Sequence, residues 1–252
     1  MVGRPAAGGL LIPRPEPGKE DASLAADGTS MRRLYHLTLC PRSRKIRLVL
    51  GEKRLEAELI EEKTWEKRTD FLRLNPAGDV PVLVEPDGRA LCDSAAIFEY
   101  LEETGPEPRL LPSDPIDRAE ARRLVGWFDG KFNAEVTENL VAERAIKRLS
   151  RSGYPDSGKI KAGARAVKQH VEYVGWLAER RRWLAGDALS IADFAAAAHL
   201  SCLDFIGDAP WEVSDPAKEW YARVKSRPAF RPLLSDHLPG FSPPDHYADL
   251  DF

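Results

Sequence analysis

The stretch Leu34-Tyr-His-Leu-Thr-Leu-Cys-Pro-Arg-Ser-Arg-Lys-Ile-Arg47 constrains the fold more than any other, because an apolar strand runs straight into a helix with Cys40 and Ser43 at the junction. Pro41 suits a first helical position, where its missing N–H would have had no intrahelical partner. A helix N-terminus offers unpaired N–H groups and a partial positive charge, which favours a thiolate over a thiol. Arg42, Arg44 and Lys45 add cations to the same turn. Cys40 is therefore the candidate nucleophile, with Ser43 one turn further on. The alternative is a small residue filling a strand–helix turn, and the stretch alone leaves both open.

Beyond the junction comes an ordered series of short elements. Lys45–Lys53 carries Ile46, Val49 and Leu50 at helical spacing, and Ala57–Ile60 is a second strand. Two strands joined by one helix make a right-handed parallel βαβ unit. Thr69–Leu74 is a short amphipathic helix that must stop at Asn75-Pro76. Val82–Glu85 and Arg89–Cys92 flank Pro86-Asp-Gly88, a turn sequence that predicts an antiparallel hairpin. Asp93-Ser94 caps a helix over Ala95–Glu103, ended by Gly105-Pro106. The order βαβ-α-ββα makes a small mixed sheet with helices on its faces. This first unit is placed at 31–106, with a linker over 107–114.

The order, with Asn75-Pro-Ala-Gly-Asp-Val-Pro-Val-Leu83 and Asp93-Ser-Ala-Ala-Ile-Phe-Glu-Tyr-Leu101, resembles the thioredoxin-like domain of the glutathione S-transferases. The resemblance implies a cis bond before Pro81. It also implies that the Val80 backbone pairs with the cysteinyl part of glutathione, and that Asp93 and Ser94 take its γ-glutamyl group. A serine and its N–H at a helix start are a ready carboxylate site, and Asp93 can hold the ammonium. The cysteine-containing classes of the family place their thiol where Cys40 stands. Asp79 departs from the pattern. An acid beside the ligand's glycine carboxylate repels it by about 1 kcal/mol if solvated, unless Asp79 points to water.

From Pro115 onward the spacing is helical, over Ala119–Glu138, Ala142–Ser150, Ile160–Arg180 and Ser190–Phe205, and no strand interrupts it. A helical domain over 115–230 is expected. Ser190 and Asp193 form a capping pair ahead of Phe194–Leu200, and Ala195-Ala-Ala-Ala198 lets that helix pack closely. This signature and Ser226-Arg-Pro-Ala-Phe230 resemble the helical domain of the same family. The fold class is thus α/β plus all-α, a thioredoxin-like domain followed by a helical bundle of the transferase type. His199, on the central helix, reads as a hydrogen-bonded core histidine rather than a catalytic base.

Two features point outward. Between Arg144 and Lys168 eight Lys or Arg residues (Arg144, Lys147, Arg148, Arg151, Lys159, Lys161, Arg165, Lys168) face one acid, Asp156, in a chain of net charge −3. Opposed charge patches speed encounter, so the run suggests a dock for an acidic partner; a solvated helix face is the alternative. Nucleic acid is the weaker partner, since no stacking aromatics interleave with the charges. The tail over 231–252 holds four prolines and no Lys or Arg after Arg231, yet keeps Leu238, Phe241, Tyr247, Leu250 and Phe252. It is expected as an extended segment that folds back on the domain or meets a partner.

Residues 1–30 are rich in Gly, Pro, Ala and Glu without periodicity, and their apolar core, Gly8–Ile12, is shorter than the ~7–15 residues of a signal peptide's central region. They are expected to be an unstructured leader added in expression, with a native disordered arm as the alternative. Three scattered cysteines (Cys40, Cys92, Cys202) form no disulfide framework and fit a reducing, cytoplasmic compartment. No apolar run reaches the ~20 residues of a membrane-spanning helix, and no metal site is assigned.

Trp65-Glu-Lys-Arg, Asn75-Pro-Ala-Gly-Asp-Val-Pro81, Trp211-Glu and the terminal His246-Tyr-Ala-Asp-Leu-Asp-Phe252 together resemble one branch of the family, the transferase-like division proteins of alphaproteobacteria. That resemblance implies a homodimer at the division site that binds filaments of the tubulin-like protein FtsZ and modulates them without glutathione chemistry or a cofactor. Arg144, Lys147, Arg148, Arg151, Tyr247, Asp249, Leu250, Asp251 and Phe252 are then the candidate partner contacts. The competing expectation is a working glutathione transferase or monothiol transferase. There Cys40 would form a mixed disulfide or Ser43 would hold the glutathione thiolate; Ser43 stands where a dithiol cycle would need a second cysteine.

Overall fold

The computed structural model describes residues 31–250. The leader expected over 1–30, and Asp251 and Phe252, lie outside the described residues. Strands β1 (Arg32–His36), β2 (Ala57–Glu61), β3 (Val82–Val84) and β4 (Ala90–Cys92) form one sheet in the order β2-β1-β3-β4. β1 runs parallel to β2 and antiparallel to β3, with Leu34 opposite Leu59 and Leu83. β3 and β4 form the expected antiparallel pair. Helices α1 (Pro41–Glu52), α2 (Thr69–Leu74) and α3 (Ser94–Thr104) complete the βαβ-α-ββα order. The bonds before Pro81 and Pro108 are cis, the first as the family resemblance implied.

α1 is buried on nearly every side, because the sheet packs on one face and the helical domain on the other. Ile46, Leu48, Val49 and Leu50 are buried, and so are Ser43, Arg44 and Lys45. Fully burying an aliphatic side chain stabilises by about 1.5–3 kcal/mol, and here charged side chains share the same interface through ion pairs.

The helical domain opens at Pro115, with the Asp114 carboxylate accepting the Ile116 and Asp117 N–H groups at 2.8 and 3.1 Å. The helices expected at Ala119–Glu138 and Ala142–Ser150 are one run, α4, over 115–150. Nothing between them breaks it, since Asn139-Leu-Val141 holds neither Gly nor Pro. Instead the run widens into π-type turns at Trp127–Thr137 and Ala142–Ile146. α5 (Ser157–Arg180), α6 (Ile191–Ile206) and α7 (Asp215–Lys225) come next. α6 is the centre: Ser190 and Asp193 form the expected capping box, and Ala195 to Ala198 have no exposed surface.

The sequence expectations do not include α7. Its signals are present all the same: a Ser214 cap, Pro216 in the first turn, and Ala217, Trp220, Tyr221 and Val224 on one face, all buried.

The tail resolves in favour of folding back. A short helix, α8 (Arg231–Leu234), precedes an irregular path to a 3-10 turn at Asp245–Tyr247. The sequence predicts no regular helix from Arg231 onward; α8 forms because Pro232 sits in its first turn, where proline is tolerated. Leu238 and Tyr247 are buried. Asp236 accepts from Arg47 through both oxygens, at 2.9 and 2.7 Å, and from Arg44 at 3.2 Å. Tyr247, a candidate partner contact by sequence, is corrected: its side chain is 1% exposed and lies edge-on to Phe205, so it is part of the core.

Candidate functional site

Cys40 is the N-cap residue of α1 and partly exposed, and its Sγ lies 3.7 Å from the Val80 carbonyl oxygen. The β1–α1 turn and the segment entering β3 therefore meet at the thiol. Ser43 sits elsewhere. It has no exposed surface, and its hydroxyl accepts the Leu37 N–H at 3.4 Å, inside the turn that shapes the junction. A hydroxyl so enclosed presents no atom to a ligand. The two cations beyond Arg42 are also committed. Arg44 donates to the Thr38 carbonyl at 2.7 Å and reaches the tail, while Lys45 pairs with Asp129.

Two of the four positions that the resemblance assigns to glutathione, Asp93 and Ser94, stand at the start of α3. Asp93 has φ +72°, a conformation that non-glycine residues rarely hold, and its carboxylate accepts the Ala95 N–H at 2.7 Å. Strain of this kind costs on the order of 1–3 kcal/mol and clusters at ligand sites. Ser94 opens α3 beside it. Both line a cleft of about 420 Å³ between the α1–α3 pair and α4, walled by Phe98, Val125 and Ile191 and edged by Arg42, Lys45, Arg122, Glu99 and Asp129. Cys40, Val80 and Pro81 are not in its lining, so the thiol and the cleft are neighbouring features rather than one pocket. Asp79 is exposed, and its carboxylate takes a hydrogen bond from Asn75 Nδ2 at 2.6 Å. An acidic side chain thus stands at the position where the resemblance puts the ligand's glycine end, outside the lining of the cleft.

A polar network underlies the cleft. Asp129 accepts from the Lys45 ammonium and faces His199 Nε2 at 3.4 Å, while His199 Nδ1 meets Thr137 Oγ1 at 2.8 Å. Burial opposes the Asp129 charge, but the His199 bond and Lys45 outweigh it and hold its carboxyl down to about 2. Burial lowers His199 in turn, and it sits fully enclosed as the expected core histidine. Asp129, Arg122 and Glu99 are not legible as site residues in the sequence, and Lys45 is legible only as a cation near Cys40. The one signal is Asp129 itself, an acid between the apolar positions Leu124, Phe128 and Phe132 of one helix.

The other cysteines are quiet. Burial, then the nearby Asp79 and Asp93 charges, push the Cys92 thiol up, and burial pushes Cys202 up to about 12.

The outward residues are partly neutralised. Glu143, just ahead of the basic run, pairs with Lys147 at 2.6 Å and Lys159 at 3.4 Å, and Arg144 pairs with Asp208 at 2.8 Å. Arg148 and Arg151 are exposed, as is Asp249, while Leu250 is half-buried. Among the described residues no helix is long and apolar enough to cross a membrane.

Comparison with known proteins finds family matches in both domains. The family model for the glutathione S-transferase N-terminal domain covers residues 39–104, and that for the C-terminal domain covers 152–228. FtsZ-localized protein A of Caulobacter vibrioides is 50% identical over 224 residues, which is 88% of this chain and 98% of that protein. The solved structure of FzlA from C. crescentus superposes with a TM-score of 0.85 at 49% identity, covering 88% of this chain and all of that one. A glutathione S-transferase from Rhodospirillum rubrum superposes with a TM-score of 0.86 at 57% identity, with the same coverage. With the sheet order, the cis Pro81, the α3 start and the capped α6 in place, the chain belongs to the glutathione S-transferase family.

Proposed function

We propose that this protein is a non-enzymatic, transferase-fold component of the bacterial division apparatus, which acts as a homodimer in the cytoplasm at the division site, binds FtsZ filaments and modulates them. The observation that carries this reading is the 50% identity to FtsZ-localized protein A across 98% of that protein's length. The site's chemistry supports it. Ser43 is enclosed, Arg44 and Lys45 are spent on ion pairs, and Asp79 opposes a tripeptide carboxylate. No cofactor is required. The partner contacts are Arg148 and Arg151 with their neighbours Arg144 and Lys147, and the tail from Asp249 through Leu250, Asp251 and Phe252.

Cosedimentation with polymerised FtsZ tests this. The full chain should pellet with polymer, and a chain lacking residues 249–252 should pellet less; Tyr247 is kept because the fold uses it. A full chain that stays in the supernatant ends the reading.

A second reading, an active glutathione or monothiol transferase, is favoured by one observation. The partly exposed Cys40 thiol lies beside the Val80 carbonyl, next to a cleft holding Asp93 and Ser94. There Cys40 would form a mixed disulfide with glutathione disulfide, releasing one glutathione thiolate, and Val80, Pro81, Asp93 and Ser94 would hold the bound tripeptide. A rise in melting temperature with millimolar glutathione supports it, and no shift removes it.

A further inference from the structure

The basic run does not form a uniform face. α4 ends in a turn where Arg151 adopts φ +52° and Gly153 φ +134°, and the chain reverses into α5 through Pro155. This reversal leaves Tyr154 94% exposed, the most exposed of the large hydrophobic side chains among the described residues. Beside it opens a second cleft, of about 590 Å³, lined by Arg144, Arg148, Tyr154, Ile160, Ile206 and Phe241. It lies on the helical domain, and none of its lining residues belongs to the cleft at Asp93 and Ser94.

The cations around this groove differ in how they are used. Lys147 and Lys159 share Glu143, and Arg144 is held by Asp208. Arg148 has no carboxylate partner among the described residues. Its guanidinium carbon instead sits 4.9 Å from the centroid of the Phe241 ring, so the tail residue packs against the group. A guanidinium held against an aromatic ring gains a cation–π contact and still has N–H donors in a fixed fork, which suits bidentate binding of a carboxylate. The adjoining walls, Ile160, Ile206 and the Tyr154 ring, are apolar. Arg151 on the turn and Lys161, Arg165 and Lys168 along α5 also lack carboxylate partners among the described residues, and they extend a positive field that steers an acidic chain.

We propose that this groove docks an acidic peptide segment of a partner protein, which sets a carboxylate on Arg148 and a bulky apolar side chain among Tyr154, Ile160 and Ile206. The proposal rests on the filament-binding reading only in deepening it, by naming where on the basic run a partner is gripped and by what chemistry. A nucleic-acid backbone fits less well. The cations of three neighbouring positions are already neutralised by Glu143 and Asp208, and a phosphodiester chain needs a continuous row.

The probe is a fluorescein-labelled decapeptide with one phenylalanine flanked by glutamates, titrated with the full chain and followed by anisotropy. Saturable binding that weakens as salt rises is expected. Arg148→Glu and Tyr154→Ala, both at exposed positions, should each weaken it about tenfold, and Arg148→Lys severalfold, because the ammonium keeps the charge but loses the fork. Lys131→Glu, on the far part of α4, should bind as the parent does. The proposal falls if the peptide does not saturate, if Arg148→Glu and Tyr154→Ala both bind as the parent does, or if a peptide with alanine for phenylalanine binds equally well. It also falls if a twelve-nucleotide thymidine oligomer binds more tightly with the same dependence on Arg148. Cosedimentation of the same proteins with FtsZ polymer separates the two readings. Loss of the peptide site with cosedimentation intact removes only the groove, while peptide binding without cosedimentation leaves the groove and removes the filament.

Discussion

Arg44 and Tyr247 stand 203 positions apart in the chain, and the buried Arg44 guanidinium donates to the buried Tyr247 hydroxyl at 3.2 Å. The same guanidinium reaches the Thr38 carbonyl, Ser201 Oγ at 2.9 Å and Asp236 at 3.2 Å. One side chain therefore ties the turn before Cys40 to the central helix and to the tail. The tail is thus tied to the fold through Asp236 and Tyr247.

Removing the Tyr247 hydroxyl tests that tie. It accepts from Arg44 and donates to the Leu233 carbonyl at 2.9 Å, so Tyr247→Phe removes one of the hydrogen bonds that each of these groups makes; the Leu233 carbonyl keeps the Asp236 N–H and Arg44 keeps Ser201. A cost of about 1–2 kcal/mol is expected, or a fall of roughly 2–8 °C in melting temperature for a chain of this size. Tyr247→Ala also opens a cavity against Phe205 and should cost about 3–5 kcal/mol. Thermal unfolding of the two variants beside the parent checks both the values and their order.

The molecule should lose stability in mild acid because of its buried histidines. Burial, then the nearby Arg47 charge, hold His36 down to about 4, and its Nδ1 has no hydrogen-bond partner among the described residues. Burial lowers His199 as well. For a base whose folded pKa is depressed, the unfolded chain takes up a proton that the folded one refuses. Stability is then whole above the unfolded value, near 6.5, and falls as pH drops toward 4. His36 alone contributes on the order of 3 kcal/mol to that fall, at a slope of up to about 1.4 kcal/mol per pH unit. Urea midpoints between pH 7.5 and 4.5 measure it. His36→Leu should flatten the profile whatever it does to stability at pH 7.5, and an unchanged slope would show that the proton is taken up elsewhere.

The three cysteines should separate cleanly under alkylation. Cys40 is partly exposed at a helix start, Cys92 is pushed up by burial and by Asp79 and Asp93, and Cys202 is enclosed and pushed up to about 12. The thiolate is the reacting species. Iodoacetamide at pH 8, followed by peptide mass mapping, should modify Cys40 first, Cys92 more slowly, and Cys202 only after denaturant is added. Modification of Cys92 ahead of Cys40 would contradict this placement. Because Cys40 is partly exposed and its thiol makes a weak contact to the Val80 carbonyl, Cys40→Ala should unfold within about 0.5 kcal/mol of the parent.

Much of this fold is written locally in the chain, and the parts that are not share a common cause. Pro41, Asn75-Pro76, Pro86-Asp-Gly88 and the Ser190 and Asp193 pair each act within four residues, so they place the strands, the hairpin and the central helix. Asp93 and Ser94 are legible for the same reason, as a helix start. The Asp129 and His199 pairing spans 70 positions and the Arg44 to Ser201 bond spans 157, and no local pattern marks either. Arg148 can be read as a cation on a basic stretch, but not as one held by Phe241. Tyr247 reads as a free anchor because its neighbours are acids and its partners are distant. α7 is hidden by its polar Asp215 start, although its apolar face repeats at helical spacing.

Where α5 packs against α7, Gly175 comes up close against Ser214. A Cβ placed at Gly175 would lie 2.0 Å from Ser214 Oγ and 3.0 Å from Ser214 Cβ. Ser214 is also the N-cap of α7, its hydroxyl accepting the Ala217 N–H at 3.3 Å. A rotation that relieved the first clash would give up the cap and still leave the second contact tight. Gly175→Ala should therefore cost about 1–3 kcal/mol, even though alanine is the better helix former by about 1 kcal/mol. Ser214→Gly alone should cost only a few tenths of a kcal/mol, since glycine is an acceptable N-cap. It also empties the space that the new methyl needs. The double variant should then recover most of the loss, with a coupling of about 1–2 kcal/mol in a urea-unfolding cycle. Strict additivity would mean that the helices separate to admit the methyl, and that the close approach at Gly175 does not set their spacing.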